Sequence, residues 1–233
     1  MKRFVTRLIL SVLLFILCVT GTSDAGRKEI MKVDDAVLVM QQIASIPETG
    51  IPPALLNNAG GIAIIPGVIK AGFILGGRYG SGILLINENG KWSNPVFITL
   101  AGGSIGWQVG VESIDIILVF KSPRSVEGIL KGKFTLGADA SVAAGPVGRQ
   151  ASASTDVMLQ SEIYSYSRSR GLFAGLALEG ASMQIDDDAD DAFYGRKDTI
   201  PREIIKDTEL KTTPEVDKLK RLLSEYSAGK TAQ

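Results

Sequence analysis

The sequence contains no histidine, and its 233 residues include one cysteine, Cys18. The absence of histidine removes the commonest general base, the commonest metal ligand and the usual partner of a catalytic serine. A single cysteine cannot form an intramolecular disulfide, so the folded chain depends on its packed core for stability. These absences disfavour most classes of hydrolase and metalloenzyme.

Neither sign of charge is in excess, because Lys and Arg number 25 and Asp and Glu also number 25. Proteins that bind nucleic acid carry a strong basic excess or a basic stripe on one face. The sequence therefore predicts no nucleic-acid partner. No feature of the sequence predicts the oligomeric state.

The start of the chain has the pattern of an export signal. Basic residues precede the apolar run Leu8 to Val19, which is shorter than the roughly 18 residues that span a bilayer. Ser23 and Ala25 then supply the small residues of a cleavage site. We expect residues 1–25 to be a signal peptide and residues 26–233 to form one domain that is periplasmic or extracellular. An uncleaved N-terminal anchor is the alternative.

Helical patterns lie at both ends of the remaining chain. Between Arg27 and Ala44, apolar residues recur at spacings of three and four, and Val216, Leu219 and Leu223 repeat the pattern near the C-terminus. Turn signals and alternating apolar residues between them predict successive antiparallel strands. We predict a single α+β domain that contains one antiparallel multi-stranded sheet, flanked by N- and C-terminal helices. The sheet is expected to be a meander, which stays open or closes to a barrel or sandwich.

The stretch AGFILGGRYGSGILLIN places Gly72, Gly76 and Gly80 four residues apart. This spacing fits the seam of a membrane helix dimer, but it also places all three glycines on one face of a strand. Lys70 and Arg78 interrupt any spanning apolar window, so we predict a strand with a bare strip that another backbone or a ligand can approach. A shorter strand, Ile62 to Ile65, is predicted to end before it.

Two motifs with possible chemistry are weak. Gly102 to Gly106 matches G-x-S-x-G, but a nucleophile elbow needs a following helix and a histidine, whereas a strand pattern follows here. The acidic run Asp186 to Asp191 lacks the glycine and glutamate positions of a calcium-binding loop, which favours a solvated turn. We therefore predict no enzyme activity, no metal site and no cofactor.

Two basic surfaces are candidates for binding phosphate groups. On the segment Tyr164 to Arg170, two tyrosines and two arginines share a strand face that suits a membrane interface, and an ordinary exposed polar strand is the alternative. The first helix carries a second patch beside apolar residues, and its packing onto the domain is the alternative. The predicted headgroup contacts are Arg27, Lys28, Lys32, Arg168 and Arg170, with Lys70 and Arg78 as weaker candidates.

Four stretches of the sequence occur in the order of a known family. They are GIAIIPGVIKAGFILGGRYGSG, WSNPVFITLAGGSIGWQVGVESIDIILV, LGADASVAAGPVGR and YSRSRGLFAGLALEGA. Together they resemble the SYLF domain, also called the Ysc-type actin- and lipid-binding domain. The resemblance covers about residues 37–195 and leaves residues 196–233 as a C-terminal helical extension.

The resemblance implies a non-enzymatic module that binds anionic lipid. Eukaryotic members bind phosphoinositides through an amphipathic basic N-terminal helix, which corresponds to Arg27 to Ala44, and yeast relatives bind and bundle actin beside SH3 domains. With its export signal, this chain looks like a secreted, stand-alone member that is peripheral to a membrane. The alternative implied by the same resemblance is a protein-interaction or scaffold protein of the cell envelope.

Overall fold

A computed structural model of the chain describes residues 25–45, 50–146, 161–169, 172–175, 178–210 and 212–230. At residues 25, 73–75, 104–110 and 172–175 the description covers the backbone alone. The predicted signal peptide, except for its last residue, and the candidate Arg170 lie outside the described residues.

The described residues form six helices and eight strands. The helices are α1 (Ala25–Ala44), α2 (Pro53–Asn57), α3 (Pro123–Leu130), α4 (Asp187–Tyr194), α5 (Pro201–Lys206) and α6 (Pro214–Ser227). The strands are β1 (Gly61–Glu88), β2 (Lys91–Trp92), β3 (Val96–Phe120), β4 (Phe134–Thr135), β5 (Val142–Ala144), β6 (Ile163–Ser169), β7 (Leu172–Gly175) and β8 (Ser182–Ile185). The predicted helices at the two ends of the chain are confirmed.

The strands form one curled sheet with the order β2-β1-β3-β6-β5, and β7 and β8 pair with β6 and β3. All of its strand pairs are antiparallel except β5–β6, which is parallel. The predicted α+β fold with an antiparallel sheet is confirmed. The order is not that of the predicted meander, because β1 lies between β2 and β3, and the ladder from β2 to β5 is open within the described residues.

Both faces of β1 are buried over residues 61–65 and 82–86. Alternate residues Ile62, Ile64 and Ile83 pack beneath α1, α2 and α6, while their neighbours Ile65 and Leu84 pack into a second core with α3 and β8. A sheet that is covered on both faces needs apolar residues at consecutive positions. This explains why the stretches around these residues are continuous apolar runs and not strict alternations.

Strand β1 does not end at Pro66, as the sequence predicted, but continues for 28 residues. The register with β3 shifts between Ile65 and Val68, so Pro66 and Gly67 lie in a bulge outside the regular ladder. Gly67 has a φ of +61°, and its N–H donates a hydrogen bond of 2.9 Å to Asp115 Oδ1. The bulge accommodates the proline without ending the strand.

Gly80 of the predicted glycine strip lies where β1 crosses itself, as does its neighbour Gly82, whereas Gly72 and Gly76 lie between the two halves of the strand. A Cβ at Gly82 would be 2.2 Å from the carbonyl oxygen of Ile64, and a Cβ at Gly80 would be 2.7 Å from Val68 Cγ2. Twelve residues of straight strand would separate Val68 from Gly80 by about 40 Å, so their contact requires the strand to reverse between them. Another backbone does approach the strip, and it is the first half of the same strand.

The reversal creates a feature that we call the ribbon bend, formed by residues 69–79 of β1 and 101–113 of β3. The two strands stay paired through it, but Gly72 pairs with Gly110 and Ile74 with Gly106, so β3 contains extra residues there. Extra residues on one strand bend a ribbon and increase its twist.

Among the described helices, none is both long enough and apolar enough to cross a membrane.

Candidate functional site

The start of α1 holds the first predicted basic patch. Val33, Val37 and Met40 turn inward and are almost fully buried, whereas Arg27 and Lys28 are exposed to solvent. Burial of such apolar side chains stabilises a helix on its core by about 1.5–3 kcal/mol each. The helix is therefore fixed by its apolar face, and the two cations are free of that packing.

Lys32 lies on the same helix but differs from Arg27 and Lys28. It is half-buried, and its Nζ lies 5.6 Å from the centre of the Phe97 ring. Burial lowers the pKa of Lys32, and the Asp186 carboxylate opposes that effect. The structure therefore gives this cation contacts within the protein and separates it from the exposed pair.

The second predicted patch, on β6, faces the core. Tyr164 and Tyr166 are almost fully buried in the core beneath the helices, and the Tyr166 hydroxyl donates a hydrogen bond of 3.1 Å to the Pro146 carbonyl. Burial raises the pKa of Tyr166. The interpretation of these tyrosines as an exposed membrane-interface pair is wrong, because the curled sheet places this face under α1.

Arg168 continues the same face of β6 beyond the tyrosines. Its Nη2 lies 2.6 Å from Asp115 Oδ2, and its Nε donates to the same oxygen at 2.8 Å. The other oxygen of Asp115 accepts the Gly67 N–H described above. Arg168 thus joins β6 to the bulge of β1 through a shared carboxylate, a structural contact that the sequence did not reveal.

The weaker candidates, Lys70 and Arg78, both lie in the ribbon bend and are half-buried. Lys70 is directly opposite Glu112 in the β1–β3 ladder, so a carboxylate shares its face of the ribbon. Arg78 is opposite Gly102, and its Nε donates a hydrogen bond of 3.2 Å to the Gly103 carbonyl. Burial lowers the pKa of Arg78, and among the described residues no carboxylate forms an ion pair with it.

The predicted cations therefore do not form one site. Arg27 and Lys28 are exposed at the start of α1, Lys70 and Arg78 lie in the ribbon bend, and Lys32 and Arg168 have partners within the protein. The two groups with access to solvent are the candidate binding surfaces.

The G-x-S-x-G motif lies in the middle of β3. Gly102, Gly103 and Ser104 pair in register with residues 78, 77 and 76 of β1, and the ladder continues on both sides. A nucleophile elbow needs a sharp turn from a strand into a helix. The motif is part of the ribbon bend, as the strand pattern predicted.

The acidic run Asp186 to Asp191 is a helix start and not the solvated turn that the sequence predicted. Asp186 caps α4 by accepting the Ala189 N–H at 3.2 Å, and Asp191 accepts the Thr199 N–H at 2.8 Å. Both contacts satisfy backbone donors at chain turns. In the part of the chain that the structure describes, no group of three or more acidic, histidine or cysteine side chains could hold a metal ion.

Asp190 is the titratable group that sequence reasoning missed. Its side chain is fully buried, and Oδ1 accepts the Phe97 N–H at 2.8 Å, while Oδ2 has no hydrogen-bond partner among the described residues. Burial raises the pKa of Asp190 to about 8, and the Phe97 hydrogen bond opposes that effect. No pattern in the sequence distinguishes it from the acidic residues on either side.

Comparison with known proteins places this chain in a family. The family described as "Ysc84: Las17-binding protein actin regulator" matches residues 101–226. Protein YSC84 of Saccharomyces cerevisiae is 40% identical over 177 residues, which cover 74% of this chain and 37% of that protein. SH3 domain-containing YSC84-like protein 1 of Xenopus laevis is 38% identical over 161 residues, 68% of this chain and 48% of the relative.

LAS seventeen-binding protein 3 of Saccharomyces cerevisiae is 38% identical over 177 residues, covering 74% of this chain and 38% of its own length. The chain thus spans between about a third and a half of the curated relatives it matches. The family match runs from residue 101 in β3 to residue 226 in α6, and together with these relatives it confirms the SYLF resemblance. The chain belongs to the Ysc84 family, whose members carry the SYLF domain.

Proposed function

We propose that this chain is a non-enzymatic module that binds anionic lipid at the surface of a membrane. The observation that carries the proposal is the exposure of Arg27 and Lys28 next to the exposed apolar side chain of Met31. A helix that lies on an anionic membrane places cations at the headgroups and apolar side chains below them. The first turns of α1 offer both.

The membrane contact of α1 is confined to its start. Asp34 and Asp35 are exposed on the following turn, and burial together with the Asp34 and Asp115 carboxylates raises the pKa of Asp35. Such a concentration of negative charge is repelled by anionic headgroups. Each cation near an anionic surface contributes about 1 kcal/mol, so Arg27 and Lys28 together change the affinity by roughly thirtyfold.

Co-sedimentation with vesicles tests this proposal. The protein is mixed at low salt with vesicles of phosphatidylcholine alone or with added phosphatidylglycerol, and the double variant Arg27→Ala/Lys28→Ala is compared with the wild type. We expect the wild type to prefer the anionic vesicles and the variant to lose that preference. Arg202→Ala/Lys206→Ala removes two exposed cations from α5 and is the matched control. Equal binding of all three proteins would contradict the role of α1.

Export to the periplasm or the extracellular space is part of the same proposal, since the basic and apolar start of the chain has the pattern of a signal peptide. Mass spectrometry of the protein from its native cell fractions tests it. We expect a mature N-terminus at Gly26 in an exported fraction. An intact Met1 in a cytoplasmic fraction would contradict it.

A second candidate function is protein binding, as the names of the relatives suggest for actin and Las17. The observation that favours it is the middle of α1, where the exposed Leu38 lies beside Asp34 and Asp35. An apolar side chain beside carboxylates suits a basic protein surface better than an anionic membrane. Co-sedimentation with purified actin filaments, by wild type and by Leu38→Ser, tests this function, and binding that the variant retains would argue against this surface.

A further inference from the structure

Exposed apolar side chains concentrate in the ribbon bend. Ile69, Tyr79 and Val111 are 46%, 59% and 75% exposed, and they make up half of the large exposed apolar side chains among the described residues. Single apolar residues on a surface are ordinary, but a group of them on one projecting element marks an interaction surface.

The bend has no further strand to cover it. β8 pairs with β3 at residues 98–101 and β6 pairs with it at residues 115–120, so none of the described strands extends the sheet between them. A two-stranded ribbon is marginally stable in water unless something packs against it. The long β1–β3 ladder keeps this one in place, while Ile69, Tyr79 and Val111 remain in solvent.

The apolar and charged side chains lie on opposite faces of the ribbon. Ile69 pairs with Ser113 and Ala71 pairs with Val111, so Ile69 and Val111 are diagonal neighbours on one face. On the other face Lys70 is opposite Glu112, whose Oε1 accepts a hydrogen bond of 2.5 Å from the Ser169 hydroxyl. Near one end of the bend, Tyr79 presents an aromatic ring with a polar hydroxyl, which suits the boundary between headgroups and acyl chains.

A lipid surface explains this arrangement better than a second protein. The described part of the bend combines exposed apolar side chains with the half-buried guanidinium of Arg78, whereas a protein-binding site usually buries its apolar centre in a matching pocket. Arg78 lies beside Tyr79 without a paired carboxylate among the described residues, and a guanidinium fork suits phosphate oxygens. These features are complementary to an anionic bilayer.

We infer that the ribbon bend is a second membrane contact, in which Ile69, Tyr79 and Val111 enter the interface and Arg78 binds a lipid phosphate. The inference rests on the proposed lipid-binding function and names an element of the module that the helix alone does not supply. Lys70 contributes little, because Glu112 is opposite to it in the ladder.

Vesicle binding by matched serine variants tests the inference. Ile69→Ser and Val111→Ser should each weaken binding by about tenfold, because each removes a side chain that becomes buried in the interface. Ile200→Ser is the matched control, since Ile200 is 50% exposed at the start of α5 and distant in sequence from the bend. Arg78→Gln should weaken binding to anionic vesicles more than Lys70→Gln does. Circular dichroism verifies that every variant is folded.

A fluorophore at the bend provides a direct measure of insertion. With Cys18→Ser as background, Val111→Cys and Ile200→Cys are labelled with an environment-sensitive dye. We expect a blue shift at position 111, and none at position 200, when anionic vesicles are added.

The outcomes separate the two proposals. If the Arg27/Lys28 variant loses binding while the bend variants and the dye at 111 show no change, the inference is overturned and the lipid-binding function stands. If the wild type binds neither type of vesicle, both fail. A concentration-dependent oligomer that Val111→Ser abolishes, without any vesicle binding, would overturn the inference and identify the bend as a contact between copies of the chain.

Discussion

Replacement of Asp190 by asparagine should stabilise the protein, and the gain should increase with pH. The native carboxyl keeps its proton up to a pKa of about 8, whereas in the unfolded chain it loses that proton near its ordinary value of 3.8. Between these values the folded state binds one more proton than the unfolded state, so stability falls as the pH rises. Asparagine carries no such proton and removes this dependence.

The magnitude follows from proton linkage. One extra proton in the folded state changes the free energy of unfolding by about 1.4 kcal/mol per pH unit. From about pH 5 to about pH 7, the gain from Asp190→Asn should therefore increase by roughly 3 kcal/mol. The amide oxygen can still accept the Phe97 N–H, which bonds to Asp190 Oδ1 at 2.8 Å in the native protein. Any cost of the buried amide nitrogen is the same at both pH values and cancels in the difference.

Urea unfolding followed by circular dichroism at the two pH values measures this difference. Asp188→Asn is the control, because it makes the same chemical change at an exposed position of α4. A gain for Asp190→Asn that is equal at both pH values would refute the reasoning, since it would show that the buried carboxyl does not hold its proton. A gain in unfolding free energy over the wild type that is smaller at the higher pH than at the lower pH would refute the reasoning more directly.

Two further predictions concern contacts that hold the fold together. Gly82→Ala should destabilise the protein by about 3 kcal/mol or more in urea unfolding, because its Cβ would be 2.2 Å from the Ile64 carbonyl oxygen. Gly103→Ala, where a Cβ would meet nothing within 4 Å, should change stability by less than about 0.5 kcal/mol, and similar losses for both would contradict the self-crossing of β1. Asn94→Ala should lower the unfolding free energy by about 2–4 kcal/mol. In the native protein Lys220 Nζ donates to Asn94 Oδ1 at 2.6 Å, and the Asn94 amide donates to the carbonyls of Ile204 and Asp207 at the end of α5, so the variant leaves all three groups without this partner. A loss below about 1 kcal/mol would show that water replaces these contacts.

The two terminal helices were predictable because their signal is local. The spacing of Val33, Val37 and Met40 defines one face of α1, and that face is the one that the structure buries. An amphipathic helix needs only a core against which its apolar face can pack, so the prediction does not depend on which element supplies that core.

The course of β1 was only partly predictable, because alternation assumes one covered face. Leu84 and Ile86 depart from the alternation, and both pack in the second core, on the face opposite to α1, α2 and α6. A sequence shows that a face is apolar but not what covers it. The same limit applies to Gly80. The sequence predicted the bare strip to which it belongs, but the first half of β1 packs against it only because the strand reverses, and no local pattern encodes that reversal.

The candidate site shows a further limit, which is that a charge in a sequence does not reveal its partner. Arg168 and Asp115 are 53 residues apart and form an ion pair, while Lys32 lies over a ring from β3. These cations resemble Arg27 and Arg78 in the sequence, but their charges already have partners within the protein. The cations that can bind an external anion are therefore the remainder, those whose charge has no partner within the protein. Among the described cations that the sequence singled out, that remainder is two separate groups, Arg27 and Lys28 on α1 and Lys70 and Arg78 on the ribbon bend.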